Sequence, residues 1–292
     1  MKKIIITGAK GQDGIILSRL LTKKKYLVFG FIKKNTSNKK KYFTTSNKKF
    51  HKIKEEIDKI NPNVIIHLGS DNPSYNKKFS YKDYKKNLSF TKKIIEYVKN
   101  NNHIKLIVIS SSEIFEKRNK KVSENSKLYP KNYYSKFRIE SAKYLFLKKK
   151  KFKLNATVLI LFNHDSKYRN SRFLLPRLMK AIKNNNINFL NKIYYENISG
   201  DFSHAHDICM GIYLLIKKNK NPDKLILSSG KRTYINDIIK IFYKKIKHTI
   251  KLNKKIKNQK NLIGDNNLAK KIIGWKPKKN IIIAAKEIYN CY

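Results

Sequence analysis

Residues 2–7 form a short apolar run that breaks at a glycine-rich turn and resumes as a helical spacing at Ile15, Leu17, Leu20 and Leu21. A second apolar run covers 26–32, and residues 33–50 read as polar and irregular. A helix over 51–60 is predicted to stop at Asn61-Pro62, because the residue before a proline disfavours the α region. Short strands follow at 63–68, 106–110 and 156–162. Helices at 84–100 and 133–150 alternate with them, the first carrying its apolar stripe on Leu88, Thr91, Ile94, Ile95 and Val98. Short all-apolar strands alternating with helices predict an α/β fold, a doubly wound parallel sheet covered on both faces.

Beyond residue 163 the pattern loosens into loops and short strands, with helices near 172–184, 207–218, 234–248 and 281–290. The expected organisation is a first domain over 1–162 and a smaller lobe over 163–292, with some segments of the lobe returning to the first domain. No internal repeat is visible.

Composition narrows the classes. The 292 residues are 40% hydrophobic and 12% aromatic, enough to bury a core. Two cysteines exclude a disulfide scaffold. No apolar run approaches the ~20 residues of a membrane-spanning helix. The expected protein is soluble, reduced and cytoplasmic, without membrane insertion. Lys+Arg is 68 against 19 acidic residues, a formal charge of +49. That excess is spread over the whole chain rather than gathered on one helix or tail. It reads as compositional drift toward Lys, Asn and Ile, not as a specific nucleic-acid site.

Against that drift, glycine is scarce, 10 in all, yet Gly8, Gly11 and Gly14 fall within seven residues between a strand and a helix. Glycine there allows a tight turn and close approach of the backbone to a pyrophosphate at the helix N-terminus. Lys33 and Lys34, after the second strand, suit a 2′-phosphate, so NADP is expected over NAD. Ser110-Ser111-Ser112-Glu113 ends a strand at the edge where open α/β folds bind ligands. Tyr134 and Arg138 share one helix face four residues apart. A cation beside a phenol favours its ionised form and makes Tyr134 an acid–base candidate, with Glu113 a second one. His204-Ala205-His206-Asp207 reads as helix entry, with Asp207 as its cap, rather than a metal site. No metal is expected. His67 and Trp275 read as core residues, and Cys209 as packing.

These segments together resemble the GDP-mannose 4,6-dehydratase family of extended short-chain dehydrogenase/reductases. The turn from Ile6 to Gly14, including Gln12 and Asp13, is similar to that family's TGxxGQDG. Ser110 to Glu113 resembles its S-T-S-E segment, and Leu161-Phe162-Asn163-His164-Asp165-Ser166 its LFNHES. Asp201 to Asp207 resembles DWGHAxD, and Gly274-Trp275-Lys276-Pro277 resembles the last four residues of LGWKP. The resemblance implies a Rossmann domain with a smaller C-terminal substrate-binding lobe. It implies a nucleotide-sugar dehydratase acting through bound NADP, with Ser111, Glu113, Tyr134 and Arg138 catalytic. It places the cofactor on the glycine turn, on Leu68, Gly69 and Ser70, and on Arg138, His164 and Arg169. Asn163, Arg177 and Lys255 fall to the substrate. Such enzymes are often homodimers or homotetramers. The chain departs from the family pattern at Arg138, where lysine is usual, and at Gly200, where arginine is usual. A 4-epimerase or 4-ketoreductase, or a non-catalytic NADP-binding relative, fits the same turn. Glu113 separates these readings, because only chemistry at carbon 5 requires a base there.

Overall fold

In the computed structural model, the described residues are 1–32, 42–44, 50–116, 121–243 and 261–292. Strand β1 (Lys3–Thr7) leads through the glycine turn into α1 (Gln12–Lys23). Next come β2 (Leu27–Ile32), β3 (Tyr42–Thr44), α2 (Phe50–Ile60), β4 (Val64–His67), α3 (Tyr81–Lys99) and β5 (Lys105–Ser111). A single 3₁₀ turn at Ser112–Ile114 precedes β6 (Lys121–Val122), α4 (Tyr133–Phe152) and β7 (Ala156–Leu161). The remainder holds β8 (Asn163–Asp165), α5 (Leu174–Lys183), α6 (Ile187–Glu196), β9 (Ser199–His204), α7 (Ala205–Lys217) and β10 (Lys224–Leu227). It closes with β11 (Arg232–Tyr234), α8 (Ile235–Phe242), β12 (Ile263–Gly264), α9 (Asn267–Ile273) and α10 (Ile281–Tyr289).

The main sheet runs β3-β2-β1-β4-β5-β7-β10, with every neighbouring pair parallel. β4, β5 and β7 are buried on both faces almost throughout, which is why they read as unbroken apolar runs. Alternation along β1 sends Ile4 and Ile6 into a core shared with α1, α7 and Trp275, and Ile5 into the opposite core under α2, α3 and α4. A third core gathers Leu178, Met179, Phe202, Ile238 and Ala284 from α5, β9, α8 and α10. β10 comes from beyond residue 163 and pairs with β7 in the main sheet. A three-stranded sheet, β11-β9-β8, and a β6-β12 pair complete the strands among the described residues.

Three sequence expectations change. The stretch expected to be irregular contains β3, which pairs with β2 from Gly30↔Tyr42 to Ile32↔Thr44. Three residues at a sheet edge are too few to show a period. Helix α6 was not foreseen: β-branched and aromatic residues crowd Ile187–Glu196, and its start is set by the Asn186 side chain accepting from Phe189 N. Asp207 does not cap α7. His204 does, accepting from His206 N, while the Asp207 carboxylate accepts from Lys278 N and Lys279 N at 2.6 Å each. The helix expected over 234–248 is seen as α8, and its residues 244–248 lie outside the described ones.

Candidate active site

Strand order reverses between β1 and β4, and the loops leaving their carboxyl ends flank the crevice that forms there. Gly8 has φ +71°, and a Cβ on it would lie 2.9 Å from Gly69 Cα. Only a residue without a side chain lets the two loops meet so closely. A Cβ on Gly14 would lie 2.6 Å from Ala9 Cα and the Gly8 carbonyl, so this glycine lets α1 press against the turn. Gly11 is the N-cap of α1 and supplies no side-chain cap, leaving the first amides of the helix to meet an anion. This glycine-walled helix end fits a dinucleotide's pyrophosphate.

A proton chain fixes the second loop. Thr91 Oγ1 donates to the Asn87 carbonyl at 2.9 Å and so accepts from His67 Nε2 at 3.0 Å. His67 Nδ1 then accepts from Thr7 Oγ1 at 2.9 Å, and Thr7 Oγ1 accepts from Gly69 N. Burial, with the Arg138 charge adding, pushes His67 down to about 3, so it is neutral and structural as expected. Gly69 is thereby held against Gly8.

Gln12 and Asp13 bond to β8 and the residue that follows it. Gln12 Nε2 donates to the His164 carbonyl at 3.1 Å, and Ser166 Oγ donates to Gln12 Oε1 at 3.0 Å. Asp13 accepts from His164 Nε2. The two motifs are halves of one contact. Arg169 lies 3.2 Å from Asp165 and 3.6 Å over the Phe173 ring. Burial pushes the Asp165 carboxyl up, against the pull of Arg169.

Tyr134 is the second residue of α4, whose N-cap Asn132 forms a capping box with Ser135. Its hydroxyl donates to Asn72 Oδ1 at 3.1 Å. Arg138, one turn on, is buried, and its guanidinium bonds four protein groups. Nη1 donates to the Ile109 carbonyl at 2.7 Å; Nη2 reaches Ser70 Oγ at 2.7 Å, Asn72 Oδ1 at 3.2 Å and the Tyr134 hydroxyl at 3.3 Å. Asn72 holds the phenol and the guanidinium together, and nothing in the sequence marked it out. Ser111 ends β5, and its Oγ accepts from Glu113 N at 3.2 Å. Glu113 pairs with Lys131, a residue equally unmarked in the sequence.

Asn163 opens β8 and is exposed. Arg177, on α5, lies 3.5 Å over the Tyr75 ring and lines a cavity of about 270 Å³ with Phe173, Phe189 and Lys192. A larger groove of about 960 Å³ between α2 and α3 is lined by none of the expected site residues. Lys33, Lys34 and Lys255 lie outside the described residues.

The chain is 24% identical to GDP-mannose 4,6 dehydratase 1 of Arabidopsis thaliana, the alignment covering 95% of this chain and 86% of the relative. It is 23% identical to human GDP-mannose 4,6 dehydratase, over 84% and 73% of the two chains. Among solved structures it is similar to a dTDP-glucose 4,6-dehydratase from Bacillus anthracis in complex with NAD, with a TM-score of 0.81 at 16% identity, covering 99% and 96% of the two chains. It is also similar to a UDP-glucuronic acid 4-epimerase from Bacillus cereus in complex with NAD, with a TM-score of 0.77 at 18% identity, covering 99% and 97%. At those identities the likeness shows the fold. Residues 5–287 match the family described as GDP-mannose 4,6 dehydratase, and the chain belongs to that family.

Proposed function

We propose that this protein is a sugar-nucleotide 4,6-dehydratase that converts GDP-mannose to GDP-4-keto-6-deoxymannose with a bound NADP. One observation carries the reading. Two acid–base groups, Tyr134 and Glu113, stand on adjoining segments at the carboxyl edge of the sheet, beside a turn shaped for a dinucleotide. Family membership and the names of the relatives support it.

Tyr134 takes the proton from the sugar 4-hydroxyl. Arg138 Nη2, 3.3 Å from the phenol oxygen, and Asn72 hold the hydroxyl in place for that transfer. A bound nicotinamide dinucleotide supplies the acceptor for the carbon-4 hydride and the donor that returns it to carbon 6. The 4-ketone acidifies the hydrogen on carbon 5, and Glu113 accepts that proton. The carbon-6 hydroxyl leaves as water, with Ser111 at the leaving oxygen. Gly8, Gly11 and Gly14 hold the pyrophosphate, and Leu68 to Ser70 line the crevice beside it. Arg177 and its aromatic neighbours suit the nucleotide diphosphate end of the substrate, with Asn163 nearer the sugar. The choice of NADP rests on Lys33 and Lys34 in the sequence.

Purified protein incubated with NADP⁺ and GDP-mannose should yield a nucleotide lighter by one water, without net reduced cofactor. Glu113→Gln should abolish water loss while carbon-4 oxidation persists. An isomer of unchanged mass would make the protein an epimerase. Dehydration surviving Glu113→Gln would overturn the role given to that residue.

A further inference from the structure

The mechanism gives Glu113 a proton to carry and leaves the cation beside it without a role. Lys131 Nζ lies 2.5 Å from Glu113 Oε2. The lysine side chain is 22% exposed, and its nitrogen is shielded from solvent. A shielded ammonium is costly without a counter-charge, and Glu113 provides it. The pair is also fixed from both sides by backbone. Phe115 and Leu128 form an antiparallel bridge, and Tyr129 N donates to the Ile114 carbonyl at 2.7 Å. Lys131 N donates to the Tyr129 carbonyl at 3.0 Å, and the next residue, Asn132, caps the helix that carries Tyr134. Lys131 therefore joins the turn bearing Glu113 to the helix bearing Tyr134.

We propose that Lys131 is a positioning residue for the dehydration step, one that holds the Glu113 carboxylate aimed at the reacting carbons. The proposal rests on the dehydratase reading above. In the elimination the carbon-5 C–H bond breaks, its electron pair enters the enolate of the 4-ketone, and the proton goes to Glu113. The enolate then expels the carbon-6 hydroxyl. That C–O bond breaks with its electrons on oxygen, and the oxygen takes the proton from Glu113 and departs as water. Glu113 ends ionised, and elimination consumes no other reactant. The contact with Lys131 Nζ holds the carboxylate in place for both transfers.

The test compares wild type, Lys131→Met and Lys131→Arg, each loaded with cofactor. The expected result for Lys131→Met is water loss slowed roughly 10-fold or more, less than the roughly 100-fold or more of a general acid–base group, because Glu113 itself remains. Carbon-4 oxidation should proceed, so the near-ultraviolet absorbance of reduced nicotinamide should build up as it does not in wild type. KM should change little, and Lys131→Arg should restore most of the rate. Wild-type water loss from Lys131→Met overturns the proposal. So does slowing without reduced cofactor, which marks a merely structural role, or failure of arginine to rescue a folded variant. Should Lys131→Met melt at much lower temperature, Lys131→Gln carries the same comparison. A wild type that removes no water from GDP-, UDP-, dTDP- or CDP-sugars overturns the dehydratase reading itself, a distinct outcome.

Discussion

The His164 imidazole closes on the Asp13 carboxylate, with Nε2 3.0 Å from Oδ2 across 151 residues of sequence. Its Nδ1 faces the Phe162 carbonyl at 2.7 Å. Both ring nitrogens meet groups that can only accept, so the ring holds two protons and a charge. Burial opposes that charge, but Asp13 outweighs it and raises His164 above its ordinary 6.5. Burial likewise opposes the Asp13 charge, and the charge and hydrogen bond of His164, with Arg169, overcome it and hold the carboxyl below 3.8. The contact ties the glycine turn to β8.

The pair should therefore stabilise the fold fully between about pH 4 and 6.5. Above 6.5 the unfolded chain has lost its histidine proton, and the contribution fades as pH rises through the folded value. Below 3.8 it fades as Asp13 protonates. Melting temperature measured against pH should fall in wild type as pH rises above 6.5, and His164→Asn should flatten that fall. Asp13→Asn should cost about 3 kcal/mol near pH 6, because it leaves a buried charge unpaired. Equal alkaline slopes in wild type and His164→Asn would show that the pair is not ionised.

Arg138 stands where the family usually has lysine, and the crevice around it is built for a fork. Its two terminal nitrogens reach the Ile109 carbonyl and Ser70 Oγ at 2.7 Å each, with the side chain only 6% exposed. A lysine ammonium is one point and cannot hold both while touching Tyr134. Arg138→Lys should lower stability by roughly 1.5–3 kcal/mol, the worth of a hydrogen bond to a charged group. Turnover should fall about 10-fold as the phenol loses its oriented partner. Thermal melting and steady-state kcat check both. A rise in turnover would mean that arginine is a decayed lysine rather than an accommodated one.

How much of this was legible follows from what each residue needed. β4, β5 and β7 are apolar on both faces, and a run of such residues announces itself. The glycine turn shows because Gly8 and Gly14 stand where any Cβ would strike backbone. Tyr134 and Arg138 lie one helical turn apart, so their contact is local. Asn72 lies 62 residues from the phenol it binds, in a chain crowded with asparagine. Lys131 is one of 68 basic residues, and only the fold lays it on Glu113. Gln12, Asp13 and His164 were read as separate cofactor residues; that they bond one another depends on β8 passing beside α1, which no spacing reports.

Lys105 gives an alkaline test of the sheet itself. It opens β5, is 3% exposed, and donates from Nζ to the carbonyls of Leu215 at 3.2 Å and Lys220 at 2.6 Å, closing the end of α7. Burial, with Lys2 and Lys149 adding, pushes its amine down to about 8 from 10.5. Between those values the unfolded chain keeps a proton that the folded protein has released. Stability from this group therefore grows as pH rises through the window, and is lost as pH falls through 8 and the buried amine must charge. Lys105→Met has no such proton. Chemical denaturation of both proteins between about pH 8 and 10 should show wild type gaining on the variant, by at most about 1.4 kcal/mol per pH unit. A difference that stays constant across that range would mean that Lys105 keeps its charge inside the fold, with the α7 carbonyls compensating its burial in full.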